Sequence, residues 1–329
     1  MPYALGIDLG GTKILAGVID LTTGKVLSLA KKRTRVELGA DEMVSRVISV
    51  AQEALQGAKL PAKEAVTSAG VGAAGQVDRA RGVLLRAPNL ATDLRDLPIA
   101  ERLRAALNLR TMLCNDVEAA AAGEAVFGAG KGQDDFVCVF VGTGIGAAIV
   151  QGGQPYRGAS NTAGEIGHMV VDHGGRLCGC GGRGHLEAYA SRSSIVRVIL
   201  AEISRGRESS LRALLPAKVD EREMPGGTAI RSKGIAQAVT AGDLLAIDAV
   251  TEGARYLASG LASVITFYNP PRIILGGGLV MAVDLFFETA VRYTRQYAHP
   301  IPAATVELAR SGLGDDAGIV GAAVLSARS

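Results

Sequence analysis

Apolar residues in the first third of the chain form short runs separated by glycine-rich turns. Residues 3–19 predict two strands, YALGID and KILAGVID, joined by the turn LGGT, and a third strand-like run covers Lys25–Lys31. A helix is predicted from about Asp41 to Gln56, with Asp41 as a candidate N-cap. Further elements are predicted as strands at Ala65–Gly72 and Thr111–Cys114 and as an alanine-rich helix at Val117–Phe127.

The same succession restarts in the middle of the chain. The apolar strand Phe136–Gly142 is followed by GTGIG and by a second strand, AAIVQGG. This repetition predicts a duplicated α/β architecture of two related halves, each with a phosphate-facing turn. The later predictions are helices at Ser193–Ile203, about Asp243–Phe267 and Ala317–Ala327, a strand at Arg272–Leu275, and a polar surface insertion at Arg205–Ser232.

Composition places the chain among globular proteins and narrows its partners. A length of 329 residues suggests two domains, and 48% hydrophobic with 20% charged residues is not a disordered composition. The net charge is only +3, and the basic residues are scattered without interleaved aromatics, so nucleic-acid binding has little support. With no apolar run of transmembrane length and no signal-peptide pattern, we expect a cytoplasmic protein without membrane contact.

Three glycine-rich turns are candidates for nucleotide binding, because glycine lets backbone N–H groups approach phosphate oxygens. Their candidate residues are Gly10, Gly11, Thr12 and Lys13 in the first turn, Gly142, Thr143, Gly144 and Gly146 in the second, and Gly276, Gly277 and Gly278 in the third. Asp8, at the end of the first strand, is suited to a hydrated Mg²⁺. Taken alone, the first turn is more typical of an ordinary hairpin, the second is also typical of a tight hairpin, and the third can simply end a strand. Three such turns in this order, in a duplicated fold, favour nucleotide binding. None has Walker A spacing, and neither of the first two has the Rossmann pattern.

Two polar positions follow strand-like or proline-fixed segments. Asp116 follows the run TMLCN and precedes a helix, where a carboxylate is well placed as general base for phosphoryl transfer. It could equally cap the helix that begins at Val117. Asn89, in the run RAPNL, carries an amide that can pair with sugar hydroxyls, although asparagine is also common in turns.

The segment from Glu165 to Glu187, EIGHMVVDHGGRLCGCGGRGHLE, concentrates ligand-type side chains. It holds three of the four histidines and two of the four cysteines. A core element could not carry so many unpaired polar groups, so the segment predicts a metal-organised loop that presents polar groups to a ligand. The other cysteines, Cys114 and Cys138, lie in apolar runs and are predicted to be reduced, buried thiols.

Seven motifs in a fixed order resemble the ROK family of sugar kinases, and most of all its bacterial glucokinase branch. They are DLGGTK at 8–13, APNL at 87–90, NDVEAAAAGE at 115–124, GTGIG at 142–146, GEIGHMVV at 164–171, CGCGGRGHLE at 178–187 and ILGGG at 274–278. The resemblance implies a duplicated, two-domain actin-like ATPase (ribonuclease H-like) α/β fold with an interdomain cleft. We expect a small domain of 1–117 plus a C-terminal helix at about 313–329, and a large domain of 118–312 that carries the zinc loop and an oligomer surface.

The resemblance also implies the activity, which is transfer of the γ-phosphoryl group of ATP to the 6-hydroxyl of a hexose, with glucose as the first expectation. Asp116 would be the base, the glycine turns would face the phosphates and the adenosine, and Asp8 would approach Mg²⁺. The residues implied to bind the sugar are Asn89, Asn115, Asp116, Glu165, His168 and Glu187. The expected partners are the hexose and ATP, with assembly as a homodimer or homotetramer.

Alternatives within the family remain open. The motifs do not separate glucose from N-acetylglucosamine, N-acetylmannosamine, mannose or fructose, and the segment Ala91–Asp96 differs from the usual glucokinase continuation. A non-catalytic sugar-sensing regulator is disfavoured because Asp8, Lys13 and Asp116 are present. A ROK-type repressor would need a helix-turn-helix segment before the strand at Tyr3, and we expect none.

Two positions depart from the family's pattern. The base motif often reads N-D-A-N, whereas Val117 and Glu118 follow Asp116 here, a change expected to affect local packing. In the family, one histidine and three cysteines bind a structural zinc, and the third cysteine is replaced by a histidine in this chain. The implied zinc ligands are His168, Cys178, Cys180 and His185, with His173 as a competitor and an empty loop as the alternative.

Overall fold

The computed structural model describes residues 2–60, 66–87, 94–215 and 230–328. Its strands are β1 (Tyr3–Leu9), β2 (Lys13–Asp20), β3 (Val26–Arg33), β4 (Val66–Ala73), β5 (Gln76–Asp78), β6 (Val83–Arg86), β7 (Arg95–Leu97), β8 (Arg110–Asn115), β9 (Phe136–Val141), β10 (Ile145–Gln151), β11 (Gln154–Tyr156), β12 (Arg272–Gly276) and β13 (Glu307–Arg310). Its α-helices are α1 (Ala40–Gly57), α2 (Ile99–Leu107), α3 (Asp116–Phe127), α4 (Glu187–Ala190), α5 (Arg192–Ser204), α6 (Ser232–Thr240), α7 (Leu244–Tyr268), α8 (Gly278–Ala282), α9 (Asp284–Tyr297), α10 (Pro300–Thr305) and α11 (Ala317–Arg328).

Two five-stranded sheets repeat one topology. The first has the order β3-β2-β1-β4-β8, in which β1, β2 and β3 run antiparallel while β4 and β8 continue parallel to β1. The second has the order β11-β10-β9-β12-β13, with β12 parallel to both β9 and β13. In each sheet the strands follow the order third, second, first, fourth and fifth. The predicted duplicated, actin-like architecture is therefore confirmed.

The chain divides into two compact units. Unit 1 comprises Met1–Asp135, Ala148–Ala163 and Ser311–Ser329, and unit 2 comprises Phe136–Ala147 and Gly164–Arg310. This division assigns residues 118–135 to unit 1, whereas the sequence placed the boundary after residue 117. Helix α3 thus belongs with the strand β8 that precedes it. Among the described residues, no helix is both long enough and apolar enough to span a bilayer.

Helix α11 is the central element of unit 1 and is buried on nearly every side, as expected for a helix that is apolar all round. Glycines allow its backbone to approach its neighbours very closely. A Cβ atom would lie 1.8 Å from the Ile319 carbonyl oxygen if added to Gly6, and 1.9 Å from that of Ala322 if added to Gly70. On Gly321 it would lie 1.6 Å from the carbonyl oxygen of Ala119 in α3.

A fully buried carboxylate, that of Glu124, joins the end of α3 to the segment before α11. Its Oε2 accepts hydrogen bonds from the backbone N–H of Ala129 (2.7 Å) and Gly312 (3.0 Å). Its Oε1 accepts from the Ser311 hydroxyl (2.6 Å) and from the N–H of Leu313 (3.0 Å). Four donors satisfy this charge without a cation, which explains how it can be buried.

Several elements lie where no element was predicted: the three-stranded sheet β5-β6-β7, helices α2, α9 and α10, and strand β13. The predicted insertion Arg205–Ser232 contains a 3-10 helix at Ser210–Leu214, and α6 begins at its end. Its residues 216–229 lie outside the described residues. Cys114 and Cys138 are buried and reduced, as predicted.

Candidate functional site

The first glycine turn, between β1 and β2, is held in place by a threonine from the end of β3. The N–H of Gly10 donates to the Lys13 carbonyl at 3.0 Å, which closes the turn. The buried Thr34 donates its hydroxyl to the Gly10 carbonyl at 2.6 Å and its N–H to the Thr12 carbonyl at 3.1 Å. Both carbonyls are thereby occupied, which fixes the peptide planes of the turn. Sequence reasoning missed Thr34 because the contact spans more than twenty residues.

Asp8 lies among charged groups of unit 1 that the sequence places far apart. The pKa of Asp8 is raised to about 7. Burial is the largest cause, the nearby carboxylates of Asp116 and Asp315 also raise the pKa, and Lys13 opposes them. The start of α11 lies against this carboxylate, since a Cβ on Gly318 would be 3.4 Å from Asp8 Cγ. Carboxylates gathered in this way are suited to a hydrated divalent cation. Asp315 was not among the predicted residues; its only signal was the pair Asp315-Asp316 before the last helix.

The predicted base, Asp116, is the first residue of α3, directly after β8. Asn115 is the N-cap: its Oδ1 accepts from the N–H of Val117 (2.9 Å) and Glu118 (3.2 Å). Its Nδ2 donates to the Gly75 carbonyl at 3.2 Å. Asp116 also accepts from the Val117 N–H, at 3.0 Å, so it assists the cap without occupying the cap position. The cap is therefore present without Asp116, which allows this carboxylate another role.

Glu118, where the sequence departs from the family's base motif, forms an ion-pair cluster. Its Oε1 accepts from Arg79 Nη1 (3.0 Å) and from Arg157 Nε (3.0 Å) and Nη2 (2.5 Å). Its side chain is only 14% exposed. The change therefore does more than alter packing, because it fastens the segment after β11 to the first turn of α3.

The second glycine turn, between β9 and β10, is held by the first residue of α4 and the first residue of α5. Glu187 Oε2 accepts from the N–H of Ile145 at 2.8 Å. Arg192 donates its N–H to the Gly142 carbonyl at 2.9 Å and its Nη2 to the Thr143 hydroxyl at 2.8 Å. Glu187 was predicted as a sugar ligand, and the turn contact adds a second role. Arg192 was not predicted, since nothing in the run ASRSS separates it from a surface arginine.

The third glycine group lies where β12 ends and α8 begins. A Cβ on Gly276 would be 2.6 Å from the Phe140 ring, and one on Gly277 would be 2.5 Å from the Val141 carbonyl oxygen. Gly277 also has φ +86°, which favours glycine. Packing against β9 thus explains the first two glycines. Gly278 differs, because its nearest neighbour would be the Ser232 hydroxyl at 3.5 Å.

The histidine- and cysteine-rich segment brings four ligand-type side chains together. One ligand atom from each of His168, Cys178, Cys180 and His185 lies within 4.8 Å of all the others. The Cys180 Sγ lies 3.1 Å from His185 Nδ1, and the Cys178 Sγ lies 3.9 Å from His168 Nδ1. This is the predicted set, and His173 is not part of it. Burial of the Cys178 thiol raises its pKa to about 11.

His168 faces the cluster with one nitrogen and Glu165 with the other. Its Nε2 lies 3.8 Å from Glu165 Oε2, opposite the Nδ1 that faces Cys178. Glu187 is also next to the cluster, with Oε1 3.9 Å from Cys178 Sγ. Of the three predicted sugar-binding residues of unit 2, His168 therefore belongs to the cluster, and Glu165 and Glu187 lie next to it. Three further predicted sugar-binding residues belong to unit 1. Asn115 and Asp116 lie where β8 meets α3, and Asn89 lies outside the described residues.

Comparison with known proteins agrees with these features. Residues 4–329 match the model of the ROK family. The chain is 35% identical over 329 residues to a glucokinase of Streptomyces coelicolor, covering 99% of this chain and 98% of the relative. It is 33% identical over 319 residues to a glucokinase of Thermotoga maritima, covering 97% and 95%. A ROK family glucokinase from Streptomyces griseus, crystallised with glucose and AMPPNP, superimposes with a TM-score of 0.83 at 33% identity, covering 99% of this chain and 100% of that one.

Proposed function

The chain belongs to the ROK family, and we propose that it transfers the γ-phosphoryl group of ATP to the 6-hydroxyl of a hexose, with glucose as the preferred substrate. Glucokinases that match over nearly their whole length support this proposal, as does the related enzyme crystallised with glucose and an ATP analogue. The observation that carries it is the grouping of Asp8, Lys13 and Asp116 at one edge of the first sheet. Strand β4 lies between β1 and β8, with its Gly72 opposite Asp8, and a Cβ on Gly72 would lie 3.4 Å from Asp116 Cα. A sugar sensor without chemistry would not need a base beside a cation-binding carboxylate.

In the proposed reaction, Asp116 accepts the proton of the 6-hydroxyl as that oxygen attacks the γ-phosphorus. The new O–P bond forms as the bond from the γ-phosphorus to the β,γ-bridging oxygen breaks, and ADP leaves with that electron pair. Lys13 neutralises part of the developing charge. Asp8 would hold the Mg²⁺ ion that accompanies ATP, and that ion would supply further positive charge there. The glycine turns 10–13 and 142–146 direct N–H groups to the phosphates, and 276–278 contact the adenosine.

The proposed sugar ligands divide by their chemistry. Glu165, Glu187 and Asp116 accept hydrogen bonds from hydroxyls, whereas the amides of Asn89 and Asn115 both donate and accept. In Asn115, the cap occupies Oδ1 and one of the two amide hydrogens is directed to Gly75, so its contact with sugar would use the other hydrogen. His168 contributes Nε2, the nitrogen that faces away from the cysteines.

We propose a structural zinc ion as the organiser of the loop. Two imidazoles and two thiolates are a donor set that Zn²⁺ binds tetrahedrally, and ligand atoms within 4.8 Å of one another fit such a site. When bound, the ion supplies no chemistry to the transfer; it fixes the loop. His168 then holds its Nε2 toward the sugar because Nδ1 is fixed by the metal.

The zinc proposal is tested by metal analysis of the purified wild type and two variants. His185→Ala should lose zinc, while His173→Ala, the matched control in the same loop, should retain about one ion per chain. The KM for sugar should rise in the first variant only. Full zinc occupancy in His185→Ala would remove His185 from the ligand set.

The activity is tested by coupled ADP release with a panel of hexoses and N-acetylhexosamines. Glucose should give the highest kcat/KM; a higher value for N-acetylglucosamine, N-acetylmannosamine, mannose or fructose would reassign the substrate.

Asp116→Ala should lower kcat by about 10²-fold or more while sugar binding persists, because a positioned base contributes about that much. Near wild-type turnover in that variant would contradict the assignment of Asp116 as base.

A homodimer or homotetramer is the proposed assembly. Unit 2 exposes large apolar side chains that an interface would cover, among them Phe267 (94% exposed) and Ile301 (74%). Light scattering during size-exclusion chromatography measures the mass directly. A monomer at micromolar concentration would contradict this assembly.

A further inference from the structure

Arg192 is a cation fixed beside the second glycine turn. Two of its groups hold the turn. The backbone N–H donates to the Gly142 carbonyl at 2.9 Å, and Nη2 donates to the Thr143 hydroxyl at 2.8 Å. A guanidinium has five N–H donors, so one bond to Thr143 leaves most of them for another acceptor. No carboxylate of the described residues lies within ion-pair distance of it.

A second arginine adds like charge to the same region. Partial burial lowers the pKa of Arg192, and the positive charge of Arg231 lowers it further. Arg231 directly precedes Ser232, whose hydroxyl would be the nearest neighbour of a Cβ on Gly278. The two arginines therefore belong to the part of unit 2 that holds both the second turn and the third glycine group. Neither arginine forms an ion pair with a carboxylate of the described residues. Two cations that repel each other are stabilised when an anion joins them.

We propose that Arg192, supported by Arg231, binds a phosphate group of the nucleoside triphosphate at the second glycine turn. Arg192 contributes the charge and the planar donor fork that the turn itself lacks, since its own donors are backbone N–H groups and the Thr143 hydroxyl. The assignment rests on the proposed ATP-dependent activity. It adds to that activity a residue that neither the motifs nor the glycine turns indicated.

Nucleotide binding measured by calorimetry separates this role from a purely structural one. Arg192→Met should weaken ATP about 10-fold or more, leave adenosine unchanged, and reduce the dependence of ATP affinity on salt; Arg192→Lys should recover part of the ATP affinity. Arg197→Met is the matched control, because Arg197 lies on the same helix and, among the described residues, donates hydrogen bonds only to Ser193 and Ser194. It should bind ATP as the wild type does.

A double-mutant cycle decides whether Arg192 acts only through Thr143. If it contacts phosphate directly, Arg192→Met weakens ATP binding further in a Thr143→Val background; no further loss there would overturn the proposal. Equal losses for ATP and adenosine would overturn it as well. The kinase activity is tested separately: it would be contradicted if the wild-type protein bound ATP but released no ADP with any sugar of the panel.

Discussion

Replacing Glu124 by glutamine should destabilise unit 1 strongly although the shape of the side chain is kept. The amide NH₂ group of the glutamine is accommodated best in place of Oε1, because the Ser311 hydroxyl can rotate and accept a hydrogen bond from it. The N–H of Leu313 then loses its acceptor, which costs about 1–3 kcal/mol for a buried group. The other bonds change from charged to neutral acceptors and weaken by several tenths of a kcal/mol each. The expected total is about 3 kcal/mol.

Calorimetry and urea unfolding at pH 7 measure this loss. For a unit of this size, about 3 kcal/mol corresponds to a fall in Tm of roughly 6–12 °C. The control is Glu101→Gln, an exposed glutamate of α2, which should change the unfolding free energy by less than about 0.5 kcal/mol. A loss below about 1 kcal/mol in Glu124→Gln would refute the view that its four hydrogen bonds depend on the charge.

Three further changes test other parts of the structure. The pKa of Asp8 in the folded state is about 7, above its usual value of 3.8, so between these pH values the folded state holds a proton that the unfolded state releases. In urea titrations without Mg²⁺, the free energy of unfolding should therefore fall as pH rises from 4 to 7 and then level off. Asp8→Asn should flatten this slope. Gly321→Ala should cost about 3 kcal/mol or more, because its Cβ would meet the Ala119 carbonyl of α3, whereas Gly57→Ala, with its nearest neighbour at 3.5 Å, should be neutral by the same measurement. Glu118→Ala should cost about 1–2 kcal/mol, since it leaves two partly exposed arginines without their carboxylate; additivity with Arg157→Met in a double-mutant cycle would show that the pair does not interact.

Much of the fold could be predicted because its signals are local. The two strand–turn–strand repeats are apolar runs bounded by glycines, and the duplicated strand order follows from them. The four cysteine and histidine side chains could be grouped because they lie within eighteen residues of one another along the chain. Short edge elements such as β11 and β13 were missed because three or four residues give too little periodicity to recognise.

The contacts that hold the glycine turns could not be predicted, because they join residues that are distant in sequence. Thr34, Glu187 and Arg192 reach turns that lie 24 to 49 residues away. The choice between Asn115 and Asp116 as helix cap was also beyond the sequence, since both residue types cap well. Only the position of the β8–α3 junction decides it, by placing the Asn115 oxygen over the first N–H groups.

The place of α11 in the chain bears on how the protein is made. The faces of β1 and β4 that carry Gly6 and Gly70 are covered by residues 317–328, which a ribosome adds more than two hundred residues after those strands. Every residue of unit 2 is synthesised before α11. A nascent chain can therefore complete unit 2 while this face of the first sheet is still uncovered, and it depends in that interval on whatever shields apolar surface in the cell. Unit 1 closes last, although its strands are made first.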